Sequence, residues 1–217
     1  TYKLFQKKWQ KMFKKKKYAV IRKAINKDLA TFLYNYLLMK KQVYDTCINE
    51  RYISKFETML GYYESNNDQI PNTFSFYSDI AMETLMLKCQ AIMEKTTNLK
   101  LYPAYTYGRV YKKGDILKRH KDRFSCEIST TMNLGGDKWP IYLEPSGNLG
   151  KKGIKVNLEA GDMLVYRGCE LEHWREKFKG KESVQVFLHY NNQKTKGSKE
   201  NIFDKRKHLG LPNWFKR

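Results

Sequence analysis

The chain has 217 residues, 41% of them hydrophobic and 14% aromatic. That is enough apolar material to exclude wholesale disorder and to fill one domain. The formal charge of +20, from 42 basic and 22 acidic residues, favours acidic partners such as nucleic acid, yet a Lys-, Asn-, Tyr- and Ile-rich composition fits a merely solubilising surface equally well. Cys47, Cys89, Cys126 and Cys169 stand singly, no apolar run is long enough to cross a bilayer, and no cleavable leader is visible. These features predict a reduced, soluble, cytoplasmic monomer with no transmembrane segment.

Residues 1–17 carry eight lysines and no acid, with Phe5, Trp9, Met12 and Phe13 at helical spacing. The expectation is a basic amphipathic helix that packs on its own domain. Residues 26–41 predict a helix capped by Asn26 or Asp28, with Leu29, Phe32, Leu33, Tyr36 and Leu37 as its apolar stripe. A polar loop follows at 64–73. A second helix is predicted over 78–96, capped by Ser78 and burying Ile80, Leu85, Leu87 and Ile92. After Pro103 the pattern changes to short segments rich in Tyr, Val, Ile, Thr and Phe, at 104–111, 125–134, 139–143, 154–158, 162–166 and 184–190. Helices followed by short strands predict an α+β chain with a sandwich or barrel in its second half. The basic stretch 191–217 is expected to form a tail or strap over the domain.

Only four histidines occur: His120, His173, His189 and His208. His120 and Asp122, two apart, would project to one face of an extended segment. His173, after the strand-like GDMLVYRG, is placed to close the site from a neighbouring strand. Two imidazoles and one carboxylate on one face of an octahedron leave positions free, the arrangement of non-haem Fe(II) oxygenases. Around this triad stand Tyr111 and Gly114, then Leu134-Gly135-Gly136, the segment WPIYLEP and the turn Gly161-Asp162.

In that order of parts, the run from Tyr111 to Tyr190 resembles the prolyl-hydroxylase-type branch of the 2-oxoglutarate/Fe(II) oxygenases, in versions carried by phage, viral and bacterial genomes. The resemblance implies a double-stranded β-helix (jelly-roll) core over 101–192, supporting helices over 1–100 and a packed basic tail over 193–217. It implies Fe(II) on His120, Asp122 and His173, 2-oxoglutarate and O2 as co-substrates, ascorbate as an accessory reductant, and, for a viral chain, the host cytoplasm as its location. The implied substrate is a prolyl residue of a peptide or protein. Two alternatives stand beside it: a nucleic-acid base demethylase or hydroxylase of the same superfamily, and a silent jelly-roll that binds a polyanion through its lysine-rich ends.

The far carboxylate of 2-oxoglutarate needs a cation and a hydroxyl inside a dry pocket. The resemblance places the cation early on the strand after the distal histidine, here KESVQVFLHY. Lys181 with Ser183 is the favoured anchor and Arg175 its rival. Tyr111 is carried over as a hydroxyl that bonds the co-substrate. His189 shares the odd-numbered face of that strand and is expected to line or underlie the pocket. Trp139, Tyr142 and Trp174 are expected in the core or along a substrate groove, and His208 on the surface.

Overall fold

The computed structural model describes residues 2–67, 69–146 and 150–216, with side chains from residue 7 onward in the first helix. Phe5 of the predicted stripe therefore lies outside the described side chains. The elements, in chain order, are α1 (Tyr2–Lys16), β1 (Tyr18–Ile21), α2 (Lys27–Asn49), β2 (Phe74–Tyr77), α3 (Ile80–Thr97), β3 (Leu101–Lys112), β4 (Leu117–His120), β5 (Ile128–Gly136), β6 (Ile141–Glu144), β7 (Ile154–Val156), β8 (Met163–Arg167), β9 (Glu172–Arg175) and β10 (Glu182–Asn192). They build a mixed α and β architecture of two antiparallel sheets, ordered β1-β8-β5-β10-β3-β2 and β4-β9-β6-β7.

The period of two along β10 sorts the layers. Val184, Val186, Leu188 and Tyr190 join a core with Leu33 and Leu37 of α2 and Met82, Met86 and Met93 of α3. The odd-numbered face, with Gln185, Phe187 and His189, turns to the other side of the sheet, where Phe187 and His189 line a cavity. Tyr18, Leu164 and Tyr166 of the large sheet share a second cluster with Ile141, Leu143 and Val156 of the small one.

The helices depart from expectation in instructive ways. Asn26 caps α2, accepting from the Leu29 amide at 2.8 Å, but Phe32 is 67% exposed. The buried stripe is Ala30, Leu33, Leu37 and Tyr44, which carries the helix past residue 41. Ser78 does not cap α3. It takes φ 55°, and Asp79 accepts from the Met82 amide at 3.1 Å instead. Ile80 and Leu87 face solvent, and Met82, Met86, Cys89 and Met93 supply the stripe. Phe13 anchors α1 in the core, 1% exposed. The large sheet also recruits β1 and β2 from before residue 100, so it is not confined to the second half of the chain.

The C-terminal stretch is a strap. Arg206 donates to Glu83 at 2.8 Å, with the two side chains 0% and 2% exposed, and also to the Ala104 carbonyl at 3.0 Å. Arg206→Met would strand the Glu83 carboxylate in the interior, and the expected cost is about 3–5 kcal/mol. Chemical denaturation measures it, and the double variant Arg206→Met/Glu83→Gln should recover much of the loss. A cost below about 1 kcal/mol for the single change would show that this pair does not hold the strap.

Candidate functional site

The triad is assembled by strand register. β4 pairs with β9 so that His120 stands opposite His173, their ring centroids 4.2 Å apart. Asp122 follows β4, and its amide donates to the Gly168 carbonyl at 2.9 Å. Asp122 Oδ1 lies 3.6 Å from His120 Nε2 and 3.4 Å from His173 Nε2. One donor atom from each residue falls within 4.8 Å of the others, a spacing that admits a single metal ion.

Backbone carbonyls orient both rings. Nδ1 of His120 lies 2.7 Å from the Lys118 oxygen, and Nδ1 of His173 lies 3.1 Å from the Leu171 oxygen. A proton on each Nδ1 leaves both Nε2 lone pairs for the ion, the outer-shell arrangement that fixes a ligand histidine's tautomer. Burial opposes ionisation of Asp122, but the adjacent His173 overrides it and holds the carboxyl at about 2. Burial and the neighbouring His173 lower His120. Burial would lower His173 too, but Asp122 outweighs it and raises this imidazole.

Behind the triad lies a second layer, in which Ser129 joins His189, the latter on the odd-numbered face of β10 as expected. Ser129 Oγ sits 3.2 Å from Asp122 Oδ2 and 2.8 Å from His189 Nδ1. His189 packs at a tilt against Tyr105, their ring centroids 4.6 Å apart, and burial drives it down to about 4, so it stays neutral. A Cβ on Gly168 would come within 2.3 Å of Asp122 Oδ2 and of the Cys126 carbonyl oxygen. Gly168→Ala should therefore displace the carboxylate and weaken metal binding by about 10- to 100-fold while the thermal transition stays cooperative. Metal titration of the variant measures this, and unchanged affinity would mean that the Asp122 loop gives way freely.

The triad opens into a cavity of about 350 Å³, lined among others by Tyr105, Tyr107, Arg109, Tyr111, Tyr166 and His189. Lys181 is not brought to this cavity. It is exposed, it precedes β10, and its amide donates to Asp137 Oδ2 at 2.6 Å. Its neighbour Gly180 packs against Asp137 and Phe178, and β10 starts one residue after Lys181. Ser183 is buried at the end of the odd-numbered face and bonds Gln185 at 3.2 Å.

Arg175 is the buried cation at this end. It is 1% exposed, and Nη2 donates to Thr131 Oγ1 at 3.2 Å and to Gln185 Oε1 at 3.3 Å, while Nη1 donates to the Trp139 carbonyl. No carboxylate pairs with it among the described residues. Its Nε is buried without a hydrogen-bond partner, and the buried Tyr111 hydroxyl feels both Arg175 and Arg109, with Arg109 as its side-chain partner. Burial draws the guanidinium down to about 10, opposed by nearby Tyr111 and Tyr166. A buried guanidinium nitrogen left unbonded is rare in protein interiors and asks for an explanation. Trp139 is core, edge-on to Tyr111. Tyr142 and Trp174 stack on each other, and neither is among the cavity's lining residues. His208 is exposed.

All four cysteines are free, and no described helix is long and apolar enough to cross a membrane. No family model and no curated protein sequence matches the chain. Solved structures do. A prolyl-4-hydroxylase from Pseudomonas putida superposes with a TM-score of 0.57 at 12% identity, over 87% of this chain and 99% of that one. The non-heme alpha ketoglutarate dependent carbocyclase SnoK of nogalamycin biosynthesis gives 0.66 at 11% identity, over 95% of each chain. HygX from Streptomyces hygroscopicus, solved with nickel and 2-oxoglutarate bound, gives 0.60 at 13% identity, over 86% of this chain and 87% of that one. At these low identities the likeness is one of fold: the chain is built like 2-oxoglutarate-dependent oxygenases, a prolyl hydroxylase among them.

Proposed function

We propose that the protein is a 2-oxoglutarate- and Fe(II)-dependent hydroxylase on a double-stranded β-helix core, acting on a prolyl residue of a peptide or protein. The observation that carries this reading is the pairing of an open three-ligand site with an acid-free buried arginine. Arg175 follows His173 by two residues on β9, so the two side chains share a face about 6.6 Å apart along the strand. That step matches the reach of a five-carbon diacid with one end at the metal and the other at the guanidinium. The donor set also fits: two imidazoles with free Nε2 atoms and one ionised carboxylate suit Fe(II) and leave positions for a chelating co-substrate.

His120, Asp122 and His173 would hold the iron. Arg175 would take the distal carboxylate in charge-assisted hydrogen bonds, with the Tyr111 hydroxyl donating beside it. Thr131 and Gln185 hold the guanidinium in place, and Tyr105, Phe187 and His189 wall the cavity against water. When bound, iron and 2-oxoglutarate supply the oxidising chemistry, in which O2 is consumed, 2-oxoglutarate leaves as succinate and CO2, and a substrate C–H bond becomes C–OH. The protein's own share is positioning, charge neutralisation and exclusion of water.

Anaerobic addition of Fe(II) and 2-oxoglutarate should produce a weak visible charge-transfer band. Iron bound without that band would count decisively against the reading. Succinate release is then screened against proline-containing peptides and against oligonucleotides. Turnover with peptides supports the prolyl assignment, whereas turnover with oligonucleotides alone would replace it with the nucleic-acid oxygenase favoured by the net charge.

A further inference from the structure

Arg175 is not among the residues that line the cavity, but another buried arginine is. Arg109 lies on β3, opposite Gln185 of β10 and Ser75 of β2. It lines the cavity and is 4% exposed. Its Nε donates to Ser75 Oγ at 3.3 Å and its Nη2 reaches Asn67 Oδ1 at 3.5 Å. Tyr107 and Tyr111 also neighbour the guanidinium; all four of these partners are neutral side chains, and no carboxylate pairs with it among the described residues. An arginine is seldom buried without a counter-charge, because removing its charge from water costs several kcal/mol that neutral acceptors repay only in part.

The charges around it sharpen the question. The charged side chains lining the cavity are Arg109, Lys121, Asp122 and Arg123, with three cations against one acid. Arg123 is already satisfied by a two-pronged bond to Asp204, at 3.0 Å through each nitrogen. Asp122 belongs to the metal site. In the reading proposed above, a dicationic metal, the Asp122 carboxylate, the dianionic co-substrate and Arg175 together carry no net charge. Arg109 is then left over, buried and with no acid among the described residues to neutralise it. The two arginines share Tyr111 as a neighbour but are held by different partners. Arg175 is tied to Thr131, Gln185 and Trp139, whereas Arg109 is tied to Ser75 and to Asn67, in the loop that contributes Gln69 to the cavity lining.

We propose that Arg109 binds an anionic group, a carboxylate or phosphate, on the primary substrate and so selects an acidic substrate for the metal centre. The guanidinium fork matches either group through paired hydrogen bonds, and the exposed Lys121 at the same cavity would draw such a substrate in. For a peptide substrate, the group is an acidic side chain or terminal carboxylate close to the target residue. This rests on the co-substrate reading, and the test keeps the two apart.

Protein loaded anaerobically with Fe(II) and 2-oxoglutarate is dialysed to equilibrium against radiolabelled inorganic phosphate at about 0.2 M salt, where exposed lysines are largely screened. The wild type should retain one equivalent. Arg109→Gln should weaken that retention about tenfold or more, while its 2-oxoglutarate affinity, read from the charge-transfer titration, stays within about twofold of wild type. Arg109→Lys, which keeps the charge and guards against misfolding, should fall between the two. In the succinate assay, proline peptides with an adjacent glutamate should be turned over in preference to their glutamine counterparts, and Arg109→Gln should erase the difference. Equal phosphate retention by wild type and Arg109→Gln, or none by either, overturns the proposal. A loss of 2-oxoglutarate affinity in Arg109→Gln would also overturn it, because Arg109 would then serve the co-substrate. A wild type that shows no charge-transfer band refutes the hydroxylase reading itself, while the phosphate measurement on metal-free protein still tests the anion site.

Discussion

Asp122→Asn is expected to abolish stable iron binding, with a loss greater than the roughly 100-fold that removing a mere supporting partner causes. Asp122 is the one carboxylate in the described three-residue cluster, and asparagine keeps its shape while removing its charge. Two companion effects follow from its electrostatics. In the metal-free protein Asp122 holds His173 above the usual imidazole range, so in the variant the His173 titration should move to lower pH, as NMR can follow. The second is a stability effect with a definite sign. The folded carboxyl is held at about 2, below its ordinary value of 3.8. Its contribution is therefore present above pH 4 and disappears as pH falls through 2. Wild type and variant should differ in stability near neutral pH and converge in strong acid. Retained iron affinity would show that the ligand set is wrong. An unmoved His173 titration would show that the two side chains are not paired.

The triad was legible because its chemistry is local. His120 and Asp122 are two residues apart, and His173 was the remaining histidine next to a strand-like segment. Register then did what spacing could not show, bringing β4 and β9 together so that the two imidazoles face each other. The short strands β1 and β2 carry no sequence signal, because four residues hold too little periodicity to stand out. The helix stripes were misjudged at Phe32, Ile80 and Leu87 for another reason: hydrophobicity alone does not say which of two apolar faces meets the sheet. Methionines and Cys89 fill the α3 contact instead, as adaptable side chains often do. Ser129, Gly168 and Arg109 left no sequence signal, because each acquires its role from a residue at least 34 positions away or across a turn. Gln185 and Phe187 could have been found, since they share with His189 the odd-numbered face already singled out on β10.

The choice of anchor, Arg175 or Lys181, carries the second large prediction. Arg175→Met should cost 2-oxoglutarate affinity about 2–5 kcal/mol, the usual penalty for deleting one partner of a buried charge pair, or roughly 30- to several-thousand-fold. Lys181→Ala should leave that affinity within about twofold, because Lys181 is exposed and the structure does not carry it inward. The same Arg175→Met change should raise, not lower, the thermal stability of the protein without ligands. Arg175 is buried without an acid partner and with its Nε unbonded, and a methionine of similar volume removes that desolvation cost while still filling the space against Trp139 and Tyr111. A residue kept at the expense of stability is the expected mark of a ligand site. Charge-transfer titrations and melting curves on the two variants measure both halves. If Arg175→Met loses stability and keeps co-substrate affinity, Arg175 is a structural residue and the anchor lies elsewhere. If Lys181→Ala is the variant that loses affinity, the cavity must close over Lys181 when 2-oxoglutarate binds.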